Sequence, residues 1–329
     1  CHLELSHLKG IVPENTGLVQ FLVEVTQFRD EVDPSKVSAA MAAADQEMLQ
    51  SGIVAVGDVC NTFNSAEQKH RSSLYYHSFT EVLGFSDSNA RERLAQILEL
   101  RDRYRDRGLP ATVSPHAPYS VSASLFRLIG SLDETGPVSV HNQECMEEEN
   151  LFGGDLRSFQ EIYDALHIDR SSFRPTGKSS LQSWLPLVEQ PQKLLLVHNT
   201  CTTVEDLRFS RETLHELYWC LCPNANLYIE GRLPDVPLLR QSGCRMVLGT
   251  DSLSSNHRLS ILEEMKTIRN YFPDIPPSEL LTWATENGAR AIGAGHLGSF
   301  SPGKLPGVIL LGGSDPSRLN QDTTVTRIL

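Results

Sequence analysis

The feature that most constrains this chain is a recurrence of short apolar runs, most of them followed by a stretch of helical periodicity. The runs are 52–59 (GIVAVGDV), 74–84 (LYYHSFTEVLG), 111–115 (ATVSP), 138–141 (VSVH), 193–198 (KLLLVH), 217–222 (LYWCLC) and 244–249 (CRMVLG). A strand that is apolar along its length must be covered on both faces, which is the signature of a parallel sheet. Helical patterns at 38–51, 90–107, 122–133, 204–216 and 260–271 supply the cover. The expected fold is α/β. Seven strand units fall one short of a (β/α)8 TIM-type barrel. The missing strand would precede residue 1, so the expectation is a barrel lacking most of strand one, in a chain truncated at its front. Near residue 297 the composition shifts to the Gly/Pro-rich GSFSPGKLPGVILLGG. Residues 1–296 are therefore expected to form the barrel, and 297–329 a small C-terminal β appendage.

Four of these runs end on a polar side chain of the metal-ligating kind. VSP leads into His116, VSV into His141, LLLV into His198 and MVLGT into Asp251. In parallel barrels all strand C-termini meet at one face, and that face carries the chemistry. One histidine at a strand end is commonly a hydrogen-bonded structural group, whereas four such residues converging by topology point to a site. Imidazoles and a carboxylate with open coordination describe a catalytic zinc or a similar divalent ion. Such an ion lowers the pKa of bound water from about 15.7 to about 7. Glu144 stands three residues beyond His141 in HNQE, where a carboxyl group can move protons beside such a water. The following Glu147–Glu149 reads as a solvated acidic run at a helix start. His77, inside the second run, reads as a packing residue. No lysine ends a strand, so one metal ion is expected rather than two.

Charge and composition exclude other classes. Asp+Glu outnumber Lys+Arg by 41 to 29, a net charge of −12, which argues against a nucleic-acid or anionic-membrane partner. No apolar run approaches the ~18 residues of a membrane span. Seven irregularly spaced cysteines suggest reduced thiols and a cytoplasmic setting, with Cys220 and Cys222 as small buried residues. FRPTGKSS ends like a phosphate loop, but Ser172 replaces the required glycine, and a plain loop is expected.

With these residues in view, the chain resembles the amidohydrolase superfamily in its aminohydrolase branch, which includes guanine, S-adenosylhomocysteine and aminofutalosine deaminases and triazine chlorohydrolases. SPHAPYS resembles the H-A-P-Y-[ST] loop, HNQE the H-x-x-E, LLLVHNT the strand-six histidine and LGTDSLSSN the G-T-D-x-x-x-S-N. The resemblance implies His2, His141 and Asp251 as ligands of one divalent metal, zinc with iron as the alternative. It implies Glu144 as proton shuttle, His198 as the group holding the attacking water or oxyanion, and Asp251 as the group taking the water's proton. His116 and Asn256 would lie near a small heterocyclic substrate. CHLELS supplies only the second histidine of the family's H-x-H. The metal is therefore expected to be weakly held, or absent, in a chain that starts here. A homodimer is the assembly to test. HLELS followed by a Phe-Leu helix tilts the substrate toward an adenine-type nucleoside. The rival readings are a hydrolase of the same site with another leaving group, of chlorohydrolase or amidase type, and a metal-free, non-catalytic relative.

Overall fold

In a computed structural model of the protein, residues 1–29, 32–189, 192–213 and 215–329 are described. Among them seven parallel strands form the wall of the barrel. They are β1 Ala55–Cys60, β2 Tyr75–Val82, β3 Ala111–Pro115, β4 Val138–Asn142, β5 Lys193–His198, β6 Glu216–Leu221 and β7 Met246–Leu248. The order is β1-β2-β3 and β4-β5-β6-β7, all pairs parallel. The two sheets meet where the His141 amide donates to the His116 carbonyl at 2.9 Å. On the other side, Cys1 lies along β1: its amine donates to Gly57 O at 3.1 Å and its carbonyl accepts from Val59 N at 2.8 Å. His2, next in sequence, reaches Asp251 beyond the end of β7. The expected parallel α/β barrel is thus observed.

The two faces of each strand follow the period of two. Leu194 and Leu196 join Val138, Val140 and the helix residues Leu125, Phe126 and Ile129 in the outer layer. Leu195 and Val197 point inward, in one cluster with Val59, Phe79, Cys220 and Val247. Both Cys220 and Cys222 are buried and unbridged. Gly249 is required here, because a Cβ would lie 2.9 Å from Cys220 Sγ and 3.0 Å from Cys222 Sγ. His77 is buried and bonded to Thr112 Oγ1 at 2.9 Å, as a packing residue should be.

The helices are α1 Leu18–Arg29, α2 Pro34–Gln50, α3 Ala66–Arg71, α4 Ala90–Asp106, α5 Ala123–Gly130 and α6 Met146–Gly153, with further helices following, among them Ile261–Tyr271. The helix expected over 204–216 ends at Ser210. Residue 214 lies outside the described residues, and β6 begins at Glu216. The stretch 173–178 is irregular, as expected for a plain loop, and a short helix, Ser180–Trp184, follows. In the C-terminal stretch, β8 Ile309–Gly312 and β9 Thr324–Arg327 form an antiparallel hairpin. It docks through Arg327, whose Nη1 donates to Ile53 O at 3.0 Å, and through Leu319, which is buried in the main core.

One buried ion pair braces the N-terminal residues. Asp58 faces outward from β1, and Lys69 of α3 meets its Oδ2 at 2.7 Å, both side chains fully buried. Asp58 Oδ1 accepts from the Leu3 amide at 2.8 Å, so the pair also fixes the peptide that follows His2. Removing one partner of such a pair leaves an uncompensated charge in the core, at a cost of about 3–5 kcal/mol. Lys69→Met should lower the unfolding free energy by about that amount in denaturant titration. An unchanged midpoint would show that the pair does not brace the fold.

Candidate active site

Each strand-end residue reaches the rim by a local backbone device. His141 shares the inward parity of Ser139, so ordinary alternation turns it into the barrel mouth. His198 shares the outward parity of Leu194 and Leu196. Its backbone turns left-handed, at φ 76°, and Asn199 follows at φ 61°. Gln143 (φ 50°) and Asp251 (φ 55°) do the same. Non-glycine residues held there store strain that surrounding contacts must offset, and such residues cluster at functional sites. The strand ends on an imidazole because the chain leaves the sheet at that residue.

At the rim, His2 Nε2 lies 3.2 Å from Asp251 Oδ1, and the rings of His2 and His141 stack with centroids 5.3 Å apart. His141 Nδ1 lies 3.2 Å from His198 Nε2, and the latter is 3.4 Å from Glu144 Oε1. Among the described residues, ligand-type atoms gather within 4.8 Å of one another at His141 with Glu144 and His198, at His141 with Glu81 and His116, and at Cys145 with Glu147 and Glu230. The expected set of His2, His141 and Asp251 is adjacent, yet it is not one of these groupings, because His2 Nε2 is turned onto Asp251.

Burial acts on every group here, and neighbours decide the outcome. Burial would raise the Asp251 carboxyl, but the His2 hydrogen bond and the charges of His2, His198 and His141 hold it well below its usual range. Burial pushes the Glu144 carboxyl well above its usual range, and the charges of Asp251 and Glu230 add to that. His198 and His141 are both lowered, chiefly by burial. His2 is raised: burial opposes, and Asp251 prevails. His116 is pushed down to about 4 by burial, and its Nδ1 meets Ser120 Oγ at 2.5 Å. The rim therefore sets a carboxyl held low, Asp251, beside one pushed high, Glu144, among imidazoles lowered at His141, His198 and His116.

A cavity of about 170 Å³ opens above these groups. Its floor includes His2, Glu81, His116, His141, Glu144, His198 and Asp251. Its walls are apolar, with Leu18, Phe21, Leu22 and Val25 from α1 facing Ile162 and Leu166. Asn256 does not line it. The Asn256 amide donates to Thr250 O and Glu264 Oε1, both at 2.8 Å, and is consumed in holding the loop after β7. Three residues at the cavity were not singled out from the sequence. Glu81, the penultimate residue of β2, places Oε1 3.4 Å from His141 Nε2, and Asn61 donates to its Oε2 at 3.0 Å. Tyr119 points its hydroxyl at Glu144 Oε2, 3.4 Å away. Arg29 is the arginine on the wall. The acidic run is also corrected: Glu148 is wholly buried and Glu147 and Glu149 are half-buried, because the helix start folds back under the strand turn.

The donor set suits a divalent ion. His141 Nε2 and His198 Nδ1 are buried without a hydrogen-bond partner, beside ionised carboxylates. Imidazole and carboxylate oxygen together favour zinc-type or iron-type ions over calcium or magnesium.

A parallel barrel with imidazoles and carboxylates gathered at its C-terminal strand ends defines the class of metal-site barrels. The chain belongs to the amidohydrolase family, whose profile matches residues 1–327. It is 27% identical over 260 residues to an adenosine deaminase of Helicobacter pylori, covering 77% of this chain and 63% of that protein. It is 23% identical over 337 residues to the 5-methylthioadenosine/S-adenosylhomocysteine deaminase of Halalkalibacterium halodurans, covering 97% and 71%. The crystal structure of Helicobacter pylori aminofutalosine deaminase with methylthio-coformycin superposes with a TM-score of 0.82 at 23% identity, over 100% of this chain and 84% of that one. No helix among the described residues is long and apolar enough to cross a membrane.

Added zinc should raise the thermal unfolding midpoint of the wild-type chain, since a ligand that binds only the folded state stabilises it by mass action. Asp251→Asn and His141→Ala should each remove most of that rise in differential scanning fluorimetry, and a full rise in both would separate these residues from metal binding.

Proposed function

We propose that this chain is a metal-dependent aminohydrolase that deaminates a purine-like or related amino-substituted heterocycle. The observation that carries the reading is the pairing of a buried Glu144 with a buried His198, 3.4 Å apart, on the floor of a largely apolar-walled cavity beside Asp251, with the Glu144 carboxyl pushed up by burial and Asp251 held low by its imidazole neighbours. The relatives named above, which are deaminases of adenine-type compounds by name, support the same reaction class.

His2, His141 and Asp251 would hold one divalent ion, zinc in this reading with iron as the alternative. When bound, such an ion supplies a water activated at neutral pH. Asp251, ionised at the rim, accepts a proton from the attacking water. Glu144 donates its proton to the ring nitrogen next to the amine-bearing carbon. His198 offers its imidazole to the attacking oxygen and holds it in place as the new C–O bond forms and charge moves onto the ring nitrogen. The C–N bond then breaks, and the amine leaves as ammonia with the proton that passed through the carboxylates. The balance is one amine and one water in, one carbonyl or hydroxyl product and one ammonia out. His116 sits across His141, at 5.0 Å between ring centroids, and would contact the heterocycle in this reading.

The test is ammonia release from the metal-loaded protein with adenine nucleosides, pterins and aminotriazines as probes. Release from a purine-type probe is expected. Glu144→Gln should lower turnover by about 10² or more, because the amide has no acidic proton to give. Wild-type turnover in E144Q would remove Glu144 from the reaction. Absence of ammonia from all three classes would overturn the deaminase reading.

A further inference from the structure

Glu144 sits on a turn whose geometry is set by a second carboxylate. β4 ends at Asn142, Gln143 turns left-handed, and Glu144 stands one residue before Cys145, the N-cap of α6. Glu148 occupies the third position of that helix and is wholly buried. Its Oε1 accepts from the Gln143 amide at 2.9 Å, and its Oε2 from the Glu144 amide at 3.1 Å. Ser180 Oγ donates to the same Oε1. In an ordinary capping box the third residue reaches back to the N-cap amide. Here the carboxylate reaches past it, onto the two peptides that carry the strained turn and the proton shuttle.

The turn is tied to β5 as well. Cys201 N donates to Gln143 O at 3.0 Å, Thr202 Oγ1 to Gln143 Oε1 at 2.8 Å, and Asn199 N to Asn142 O at 2.9 Å. The Glu144 and His198 backbones therefore share one buried plate of hydrogen bonds. In that plate the Glu144 amide is held by Glu148.

We propose that Glu148 is a positioning residue, which fixes the Glu144 carboxyl against His198 by clamping both amides of the turn. The inference rests on the aminohydrolase reading for its kinetic consequence. Its geometric part stands apart from that reading. A glutamine at 148 presents one acceptor and one NH2 group, so its nitrogen must face a donor, and the Glu144 peptide loosens. A misplacement of about 1 Å can cost about 10² in rate.

The experiment uses the metal-loaded full chain. Glu148→Gln is expected to lower kcat by about 10- to 100-fold on the purine probe with KM within about 3-fold, as for a group acting on the transition state. In an E144Q background the same change should cost no more than about 2-fold, since nothing remains to be positioned. Hydrogen exchange by mass spectrometry should show faster exchange in the peptide spanning 142–145, with the rest of the barrel unchanged. Should E148Q not accumulate folded, Glu148→Asp, too short to span both amides, carries the same measurements. Wild-type kcat in the variant, an equal loss with and without Glu144, or unchanged exchange at 142–145 would each overturn the proposal. A wild-type chain that releases no ammonia overturns the proposed function, and the exchange measurement then still decides the geometry.

Discussion

The rim depends on hydrogen bonds made by buried polar groups where the backbone leaves the sheet. Each left-handed turn at Gln143, His198, Asn199 and Asp251 would relax if its amides and carbonyls had water to turn to. They are buried: at the β4 and β5 ends the Asn199 and Cys201 amides donate to Asn142 O and Gln143 O, the Gln143 amide to Glu148, and the side chains of Asn142, Gln143, Asn199, Thr202 and Asp206 bond to one another. Low dielectric makes such a network strong when complete and costly when one member is lost. The conformations that aim the imidazoles and carboxyls are therefore part of the fold's own bonding.

Electrostatics follow from that burial. With water excluded, each titratable group takes the protonation state its nearest neighbours allow. Asp251 stands among imidazoles and is held low, whereas burial, with Asp251 and Glu230 adding, pushes Glu144 up. Two carboxyls on one rim are driven in opposite directions, an arrangement that suits one to accept a proton and the other to give one.

Much of this was legible in the sequence, because topology alone decides where a parallel strand ends. His116, His141, His198 and Asp251 could be read from the apolar runs before them, and Glu144 from its spacing after His141. Glu81 was hidden because LYYHSFTEVLG continues past it, leaving no visible strand end. Arg29 was hidden because a helix pattern does not tell which of its residues overlooks a cavity. Asn256 was misplaced because a motif gives residue type and spacing, not the direction an amide turns. Glu148 was read as solvated for a related reason: three successive acids usually face water, and only the fold-back of α6 buries the middle one.

The rim draws its members from both ends of the described polypeptide. His2 and Asp251 meet only when the residues beside β1 and the loop after β7 are both in place. No fragment of the barrel can hold the full constellation. The rim is therefore complete only once β7 and the loop after it have docked beside the N-terminal residues, which makes its assembly a late event in folding.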